Sequence, residues 1–390
     1  MLKPGELDLS DAKVFDEGFP HDYFRMLRAE APVCWHPEPN GPGHWAVTRY
    51  DDVKTASRNP QVFSSWLGGT TIRDMPPEHI ERSRAIMLNM DPPQHAKYRR
   101  LVQRGFTPRM IQQLTPQIRQ RAGEIIDRVA PRGECEFVSE VAAELPMQVI
   151  CEMMGVPEED RRTIYDLSNR LIGFDDPQYQ RSVEDGIHAS IEMFMYASKL
   201  SELDFNSFFL LLAVAGNETT RTATSQGIRL LAEHPAQRER VLRDPSLIPA
   251  AIEEIVRFNP PVMHFRRTAT QDLELRGQQI KEGDKVVFWH ASANRDETAF
   301  DDPDTFDVRR SPNNHIAFGG GGPHFCLGAN LARMEIMVMF DRLLDRMSDM
   351  RLDGEVQRLQ SNFINGTKHI PVAFEPSAPV GGTPLPARAR

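Results

Sequence analysis

Apolar positions recur at helical spacing through much of the chain, and the pattern predicts mostly helices down to about Asn259. Ahead of them, Val33 to His36 and His44 to Arg49 flank the turn-rich run PEPNGPG and read as a hairpin-like pair of short segments. Pro260-Pro261 then stops the helical run. Beyond that stop, Leu273-Glu274-Leu275 and Lys285 to Trp289 read as short strands, and from Gly328 to about Met347 the period is helical again. Nothing repeats, and no Gly/Ser or Pro linker separates two blocks. The pattern therefore predicts a mainly α protein with a smaller β portion, one continuous domain over residues 1–375. Pro376 to Arg390 (PSAPVGGTPLPARAR) is low in complexity and reads as a disordered tail that builds no core.

Composition narrows the classes. Apolar residues at 40% and charged residues at 26% of 390 exclude collagen-like and wholly disordered chains. A formal charge of −9 argues against a general nucleic-acid binder. The N-terminus lacks the apolar core of a signal peptide, and the longest apolar run, Phe208 to Ala215, is far too short to span a bilayer. The expectation is a cytoplasmic protein without a membrane anchor. Cysteines stand at 34, 135, 151 and 326 with no CxxC pair, so neither a disulfide framework nor a zinc cluster is expected. Cys34, Cys135 and Cys151 read as small buried hydrophobes. Cys326 does not.

Its surroundings are Phe318-Gly-Gly-Gly-Gly-Pro-His324-Phe-Cys326-Leu-Gly328-Ala-Asn-Leu-Ala-Arg333. Four consecutive glycines leave no side chains in the way, so the backbone can approach something large and flat. Cys326 sits just before a helix, whose positive end and free N–H groups favour a thiolate. A thiolate on a loop so poor in side chains can ligate a metal from one side, and Gly328 lets the helix start close beneath the same object. A phosphate loop would need Lys-Ser/Thr after the glycines, and none follows.

Three further constellations stand out. In Leu210-Leu-Leu-Ala-Val-Ala215-Gly216-Asn217-Glu218-Thr219-Thr220 an apolar helix suddenly carries a Gly, an acid and two threonines. Such a stretch is either a helix kink or a place for a water and a polar pair facing a cavity. Glu254 and Arg257 lie three apart on the helix that ends at Pro260, in reach of an ion pair. In Asp91-Pro92-Pro93-Gln-His95-Ala-Lys-Tyr-Arg99-Arg100, Asp91 suits a helix cap and Pro92 its first turn. His95 and Arg99 are then neighbours on one face, either solvated or turned towards an anion.

These motifs, in this order, resemble the cytochrome P450 monooxygenases, and the likeness runs from about Phe15 to Phe374. The resemblance implies that fold, with the haem between the central helix and the cysteine-loop helix, and haem b as cofactor with Cys326 as its iron ligand. It makes His95, Arg99, Arg267 and His324 the propionate partners, with Phe318 and Gly328 in the haem loop. It makes Ala215 and Gly216 an oxygen groove, and Glu218 and Thr219 the acid–alcohol pair that delivers protons. Glu254, Arg257 and Arg310 match residues that support the fold. Phe318 precedes Cys326 by eight residues, one more than is usual, an expansion similar to that in bacterial members that oxidise branched lipids and sterol side chains. The stretch Tyr196 to Phe205 runs almost directly into the central helix, where members of the family usually have a longer connection.

The implied activity is insertion of one oxygen atom of O2 into a C–H bond of a lipophilic small molecule, of isoprenoid, fatty-acid or sterol-like kind. By family position, Trp66, Leu67, Leu211, Val214, Met263, Phe265, Phe363 and Ile364 would line the substrate cavity. With no flavin or iron–sulfur motif appended, electrons would come from a ferredoxin or flavodoxin-type donor and its NAD(P)H-dependent reductase. Lys97, Arg100, Arg104 and Arg333 would form a basic docking patch. A peroxide-driven peroxygenase would share the cysteine loop but would not be expected to keep Glu218-Thr219. A non-catalytic haem-binding or gas-sensing protein would need neither a proton relay nor a cavity.

Overall fold

The computed structural model describes residues 2–39, 41–180, 182–200 and 203–381. Its helices, in chain order, are α1 (His21–Glu30), α2 (Tyr50–Ser57), α3 (Pro77–Ser83), α4 (Gln94–Val102), α5 (Pro108–Val129), α6 (Glu144–Met154), α7 (Arg161–Ile172), α8 (Val183–Leu200), α9 (Leu203–Glu233), α10 (Pro235–Arg243), α11 (Ile248–Phe258), α12 (His290–Ala293) and α13 (Ala329–Arg346). The strands are β1 (Val33–His36), β2 (His44–Val47), β3 (Phe63–Ser64), β4 (Glu134–Glu136), β5 (Phe265–Ala269), β6 (Leu273–Leu275), β7 (Gln278–Ile280), β8 (Lys285–Phe288), β9 (Arg351–Leu352), β10 (Gln357–Arg358), β11 (Thr367–His369) and β12 (Pro371–Ala373). The chain is mainly helical with a smaller β portion, as its pattern predicts. No helix among the described residues is long and apolar enough to cross a membrane.

Local chemistry sets several of the boundaries. The Thr107 hydroxyl accepts from Met110 N at the start of α5, with Pro108 in the first turn, where a missing N–H costs nothing. Gly155, at φ +73°, ends α6 in the left-handed conformation that closes helices. Asp91 departs from expectation. Its carboxylate leaves the start of α4 uncapped and instead accepts from Ser64 Oγ and, at 2.8 Å, from Ser65 N. It thus ties the approach to α4 to the residues after β3.

The largest sheet runs β1-β2-β8-β5-β3, with β2 and β8 parallel and the other pairs antiparallel. Central strand β8 is buried along its whole length, which explains its Val286-Val287-Phe288 run. Its one charged residue, Lys285, is paired with Glu38 and Asp74, each at 2.7 Å. A larger hydrophobic core gathers α5, α6, α9, α11 and α13, from Phe106 to Phe374. Within it α9, at 31 residues and about 46 Å, is the long element against which α6, α7, α8 and α13 pack.

Glu254 and Arg257 form no surface pair. Both are fully buried, 2.7 Å apart, and Arg310 Nε donates to the same carboxylate at 3.2 Å. Arg257 also donates to the carbonyls of Asn294 and Pro303, so the group locks α11 to the segment leading into the cysteine loop. The start of the expected tail is not free either. Ser377 N donates to Ala130 O at 3.0 Å and Arg346 to Ala378 O at 2.6 Å; residues 382–390 lie outside the described residues. At the shortened connection, α8 ends at Leu200 and α9 begins at Leu203, and residues 201–202 lie outside the described residues.

Candidate functional site

The cysteine loop folds back so that Cys326 N donates to Phe318 O at 2.9 Å. Gly319, Gly321 and Gly322 take φ of +104°, +94° and +77°, a region that side chains strongly disfavour. A Cβ at Gly320 would stand 2.9 Å from Lys54 Cα, so the loop seats directly on the end of α2. At Gly328, by contrast, an added Cβ would meet no protein atom within 4 Å. Gly328, Phe318 and Cys326 all line one cavity, which α9 also lines through Leu211, Ala215, Gly216 and Thr219. Cys326 is accessible from within this cavity although protein surrounds it. Burial pushes its thiol up, opposed by the Gly328 N–H and the charges of Arg99 and Arg333. A coordinating metal would favour the thiolate form.

Four groups suited to anions face the same cavity. His95 and Arg99 reach it from α4, Arg267 from β5, and His324 from the loop. The His95 and His324 rings lie 4.3 Å apart, centroid to centroid. Arg99 donates to Phe325 O at 2.6 Å, and Arg267 to the Arg266 carbonyl at 2.7 Å. Neither arginine pairs with a carboxylate among the described residues, and His95 Nδ1 has no partner. Burial lowers Arg267 to about 10, His95 to about 4 and His324 to about 2, with neighbouring arginine charges adding to the two histidine shifts. Buried cations without counter-charges are costly unless an anion completes them. Adjacent Arg266 turns the other way, onto Asp74 at 2.7 Å.

On α9 the acid and the alcohol separate. Thr219 lines the cavity and donates to Ala215 O at 2.6 Å, the back-bond expected of a helical threonine. Glu218 does not line the cavity; it is 1% exposed and ion-paired with Arg221. Burial pulls that guanidinium down, and the Glu218 charge, with Tyr165 and Tyr179, more than offsets it. Arg221 in turn donates to Asn169 Oδ1 on α7 at 2.7 Å. Gly216 is small because Ile150 of α6 occupies the space that a Cβ would need.

Of the expected substrate-lining residues, Leu211 and Phe265 line the cavity. Trp66, Leu67, Val214, Met263, Phe363 and Ile364 do not. Met263 is fully buried in the core around Phe24 and Trp289, and its neighbour Val262 takes the cavity position. Val214, Phe363 and Ile364 pack on one another's cluster with Ile172 and Leu359. Trp66 lies under the Arg84 guanidinium at 4.9 Å, and Leu67 is 46% exposed. Arg333 leaves the expected basic patch: it grips Glu253 with two bonds, at 2.6 and 2.8 Å, and stacks 4.2 Å over Phe318. Lys97, Arg100 and Arg104 are exposed.

Among the polar cavity residues that the sequence reading missed are His290 and Glu335. His290, at the start of α12, is buried with Nδ1 unpartnered, and burial followed by the Arg267 charge lowers it to about 3. Glu335, on α13, is buried with Oε1 unpartnered. The only signal for Glu335 was its spacing from Ala332 and Leu331, three and four positions away on one helix face.

This donor set fits a haem: a thiol and an anion-binding cluster open into one cavity, and the backbone at Gly328 leaves room beside them. The family model described as Cytochrome P450 matches residues 156–362. A steroid C26-monooxygenase from Rhodococcus jostii (strain RHA1) is 41% identical over 414 positions, covering 98% of this chain and 87% of the relative. That alignment is longer than the 390 residues here, so the relative carries residues with no counterpart in this chain. A methyl-branched lipid omega-hydroxylase from Mycobacterium bovis is 42% identical over 405 positions, covering 95% of this chain and 94% of the relative. A Mycobacterium marinum cytochrome P450, solved in complex with pseudoionone, superposes with a TM-score of 0.89 at 37% identity, covering 96% of this chain and 100% of that one. Fold, cavity and comparisons agree: the chain belongs to the cytochrome P450 family of haem-binding monooxygenases.

Proposed function

We propose that this protein hydroxylates a C–H bond of a methyl-branched lipophile, of isoprenoid, branched fatty-acid or sterol side-chain type. The observation that carries the reading is that Cys326 and Thr219 line one cavity, with apolar Leu211, Phe265 and Val262 in the same wall. The relatives named for steroid and methyl-branched lipid oxidation support the substrate class. Because the largest core draws on residues from Phe106 to Phe374, we take residues 1–375 to act as one unit.

Cys326 would ligate the iron of haem b, and Arg99, Arg267, His95 and His324 would hold its two propionates. When bound, haem supplies the iron chemistry that activates dioxygen with two electrons from a separate donor. The remaining steps belong to the chain. Leu211, Phe265 and Val262 exclude water and hold the lipophile by its hydrocarbon surface. Ala215 and Gly216 keep that stretch of the α9 wall free of bulky side chains. Thr219 offers a hydroxyl that passes a proton when its bond to Ala215 O is given up. Glu218, clamped by Arg221 on the side away from the cavity, stands at the outer end of that relay. Exposed Lys97, Arg100 and Arg104 support docking of an acidic ferredoxin or flavodoxin, fed by an NAD(P)H-dependent reductase in the cytoplasm.

A spectral titration of the haem-loaded protein tests this. Branched lipophiles are expected to shift the Soret band as water is displaced, and linear polar compounds are not. The bound lipophile should then gain one oxygen atom from labelled O2, only with the reductase system present. Product formed from peroxide alone, or no product from any lipophile that shifts the band, would overturn the reading.

A further inference from the structure

Helix α8 carries apolar side chains on both of its faces. Ala189, Met193 and Ala197, spaced four apart, are fully buried where α8 packs on α7 and α9. The opposite face of such a helix is ordinarily polar. Here Ile191, Phe194 and Met195 are 42%, 36% and 59% exposed, with half-buried Ile187 one turn before Ile191. Ile187, Ile191, Phe194 and Met195 stand at i, i+4, i+7 and i+8, so they form one stripe along the outer face. The link to α9 cannot fold back over this stripe, because the chain from Leu200 to Leu203 reaches about 11 Å at most.

The two ends of the stripe carry opposite charges. Glu184 precedes it and Lys199 follows it; both are exposed, and neither is ion-paired among the described residues. A face of this kind complements its own reversed copy. In an antiparallel pair with Ile191 on the twofold axis, Ile187 lies opposite Met195 of the second copy and His188 opposite its Phe194. Glu184 then falls opposite Ser198 of the second copy, beside its Lys199, and symmetry makes every contact twice. The same arrangement sets the positive end of each helix against the negative end of the other. A lipid surface is a poorer match. Glu184, Asp185 and Glu192 give α8 an acidic flank, whereas a helix held on anionic lipid carries a Lys/Arg-rich one.

We propose that the outer face of α8 is the contact between two copies of this chain, packed antiparallel about a twofold axis at Ile191. A face of 18 residues is about 27 Å long, which covers less than a standard interface, so the dimer is weak and reversible. None of the four stripe residues lines the cavity that holds Cys326, so the contact stands apart from the monooxygenase reading.

Sedimentation velocity of the haem-loaded full chain, with a reductant present to keep its cysteines unlinked, tests this. Wild type is expected to pass from monomer to dimer between about 1 and about 200 μM, the range of weak complexes. Ile191→Glu places two like charges on the axis and should weaken association by at least about tenfold. Glu184→Lys and Lys199→Glu should each weaken it by about threefold to tenfold, since each removes two exposed ion pairs. The double variant should regain the wild-type value, because each reversed charge again meets its opposite. Urea midpoints near wild type in all four variants keep loss of association apart from loss of fold. A wild type that stays monomeric throughout, or a dimer that Ile191→Glu leaves intact, overturns the proposal. So does a double variant no better associated than either single one. Binding of monomeric wild type to phosphatidylglycerol vesicles, abolished by Ile191→Glu, would make the face a lipid contact and overturn it as well.

Discussion

Glu218 and Thr219 are consecutive on α9, yet they belong to different surfaces: Thr219 lines the cavity and bonds Ala215 O at 2.6 Å, while Glu218 is buried against Arg221. One residue of helix, about 100° of rotation, separates them. Removing the hydroxyl should therefore leave the buried ion pair intact. Thr219→Ala is expected to bind haem and substrate and to accept electrons, while diverting them from product to peroxide. The ratio of product to NAD(P)H consumed, with peroxide measured in parallel, checks this. Unchanged coupling would reduce Thr219 to a helix-kink residue.

Cys326 is the one cysteine that opens into the cavity; Cys135 and Cys151 are buried in the core, where burial pushes both thiols up to about 12. Cys326→Ser is expected to lose the red-shifted carbon-monoxide band of a thiolate-ligated ferrous haem, together with activity. Serine at 34, 135 or 151 should keep both. A normal thiolate spectrum in the Cys326 variant would sink the assignment.

Arg266 and Arg267, adjacent on β5, make a matched control. Arg267 faces the cavity without a carboxylate, whereas Arg266 is held by Asp74. Arg267→Leu should speed haem loss to an apo-globin acceptor by about tenfold, in line with one charge-assisted hydrogen bond. Arg266→Leu should leave haem retention near wild type and instead loosen the residue 72–74 segment, read as faster amide exchange there. Equal haem loss in both variants would contradict the assigned orientations.

The buried Glu254–Arg257 pair carries a stability prediction. Both side chains are fully buried, and Arg310 and Asn313 also donate to Glu254. Glu254→Ala strands a buried guanidinium, so a loss of about 3–5 kcal/mol is expected from urea unfolding of the haem-loaded protein. A loss below about 1 kcal/mol, the range of exposed pairs, would mean that the pair is solvated in solution.

Much of this architecture was legible because its signals are local. The glycine run before Cys326, the Gly-acid-Thr interruption in α9 and the spacing of Glu254 and Arg257 each constrain chemistry within a few residues. What was not legible depends on which way a side chain faces after packing. Met263 and Val262 are both apolar neighbours before β5, and only the presence of Phe24 and Trp289 on one side decides that Val262 takes the cavity. Asp91 reads as a helix cap, but Ser64 and Ser65 compete for it from a distant segment. Arg333 reads as a surface cation until Glu253 is brought alongside. Glu335 was invisible for the same reason: one acid on an amphipathic helix looks solvated until α9 closes over it.

That acid supplies the last prediction, which needs no turnover. Its folded value of about 8 lies above the 4.5 of an unburied glutamate, the latter standing for the unfolded chain. Between the two, the folded protein keeps a proton that the unfolded chain has released, so stability must fall as pH rises through this window. The contribution of the neutral carboxyl is fully present below 4.5 and is lost by the time pH passes about 8. Glu335→Gln puts a neutral side chain of the same shape there at every pH, so its curve should lack this decline. Urea midpoints of the two haem-loaded proteins should coincide near about pH 5 and diverge above neutrality. The variant should be the more stable one there by a margin on the order of a few kcal/mol. Parallel curves would show that Glu335 ionises in the folded state as readily as in the unfolded one, and that the cavity offers its carboxylate a partner.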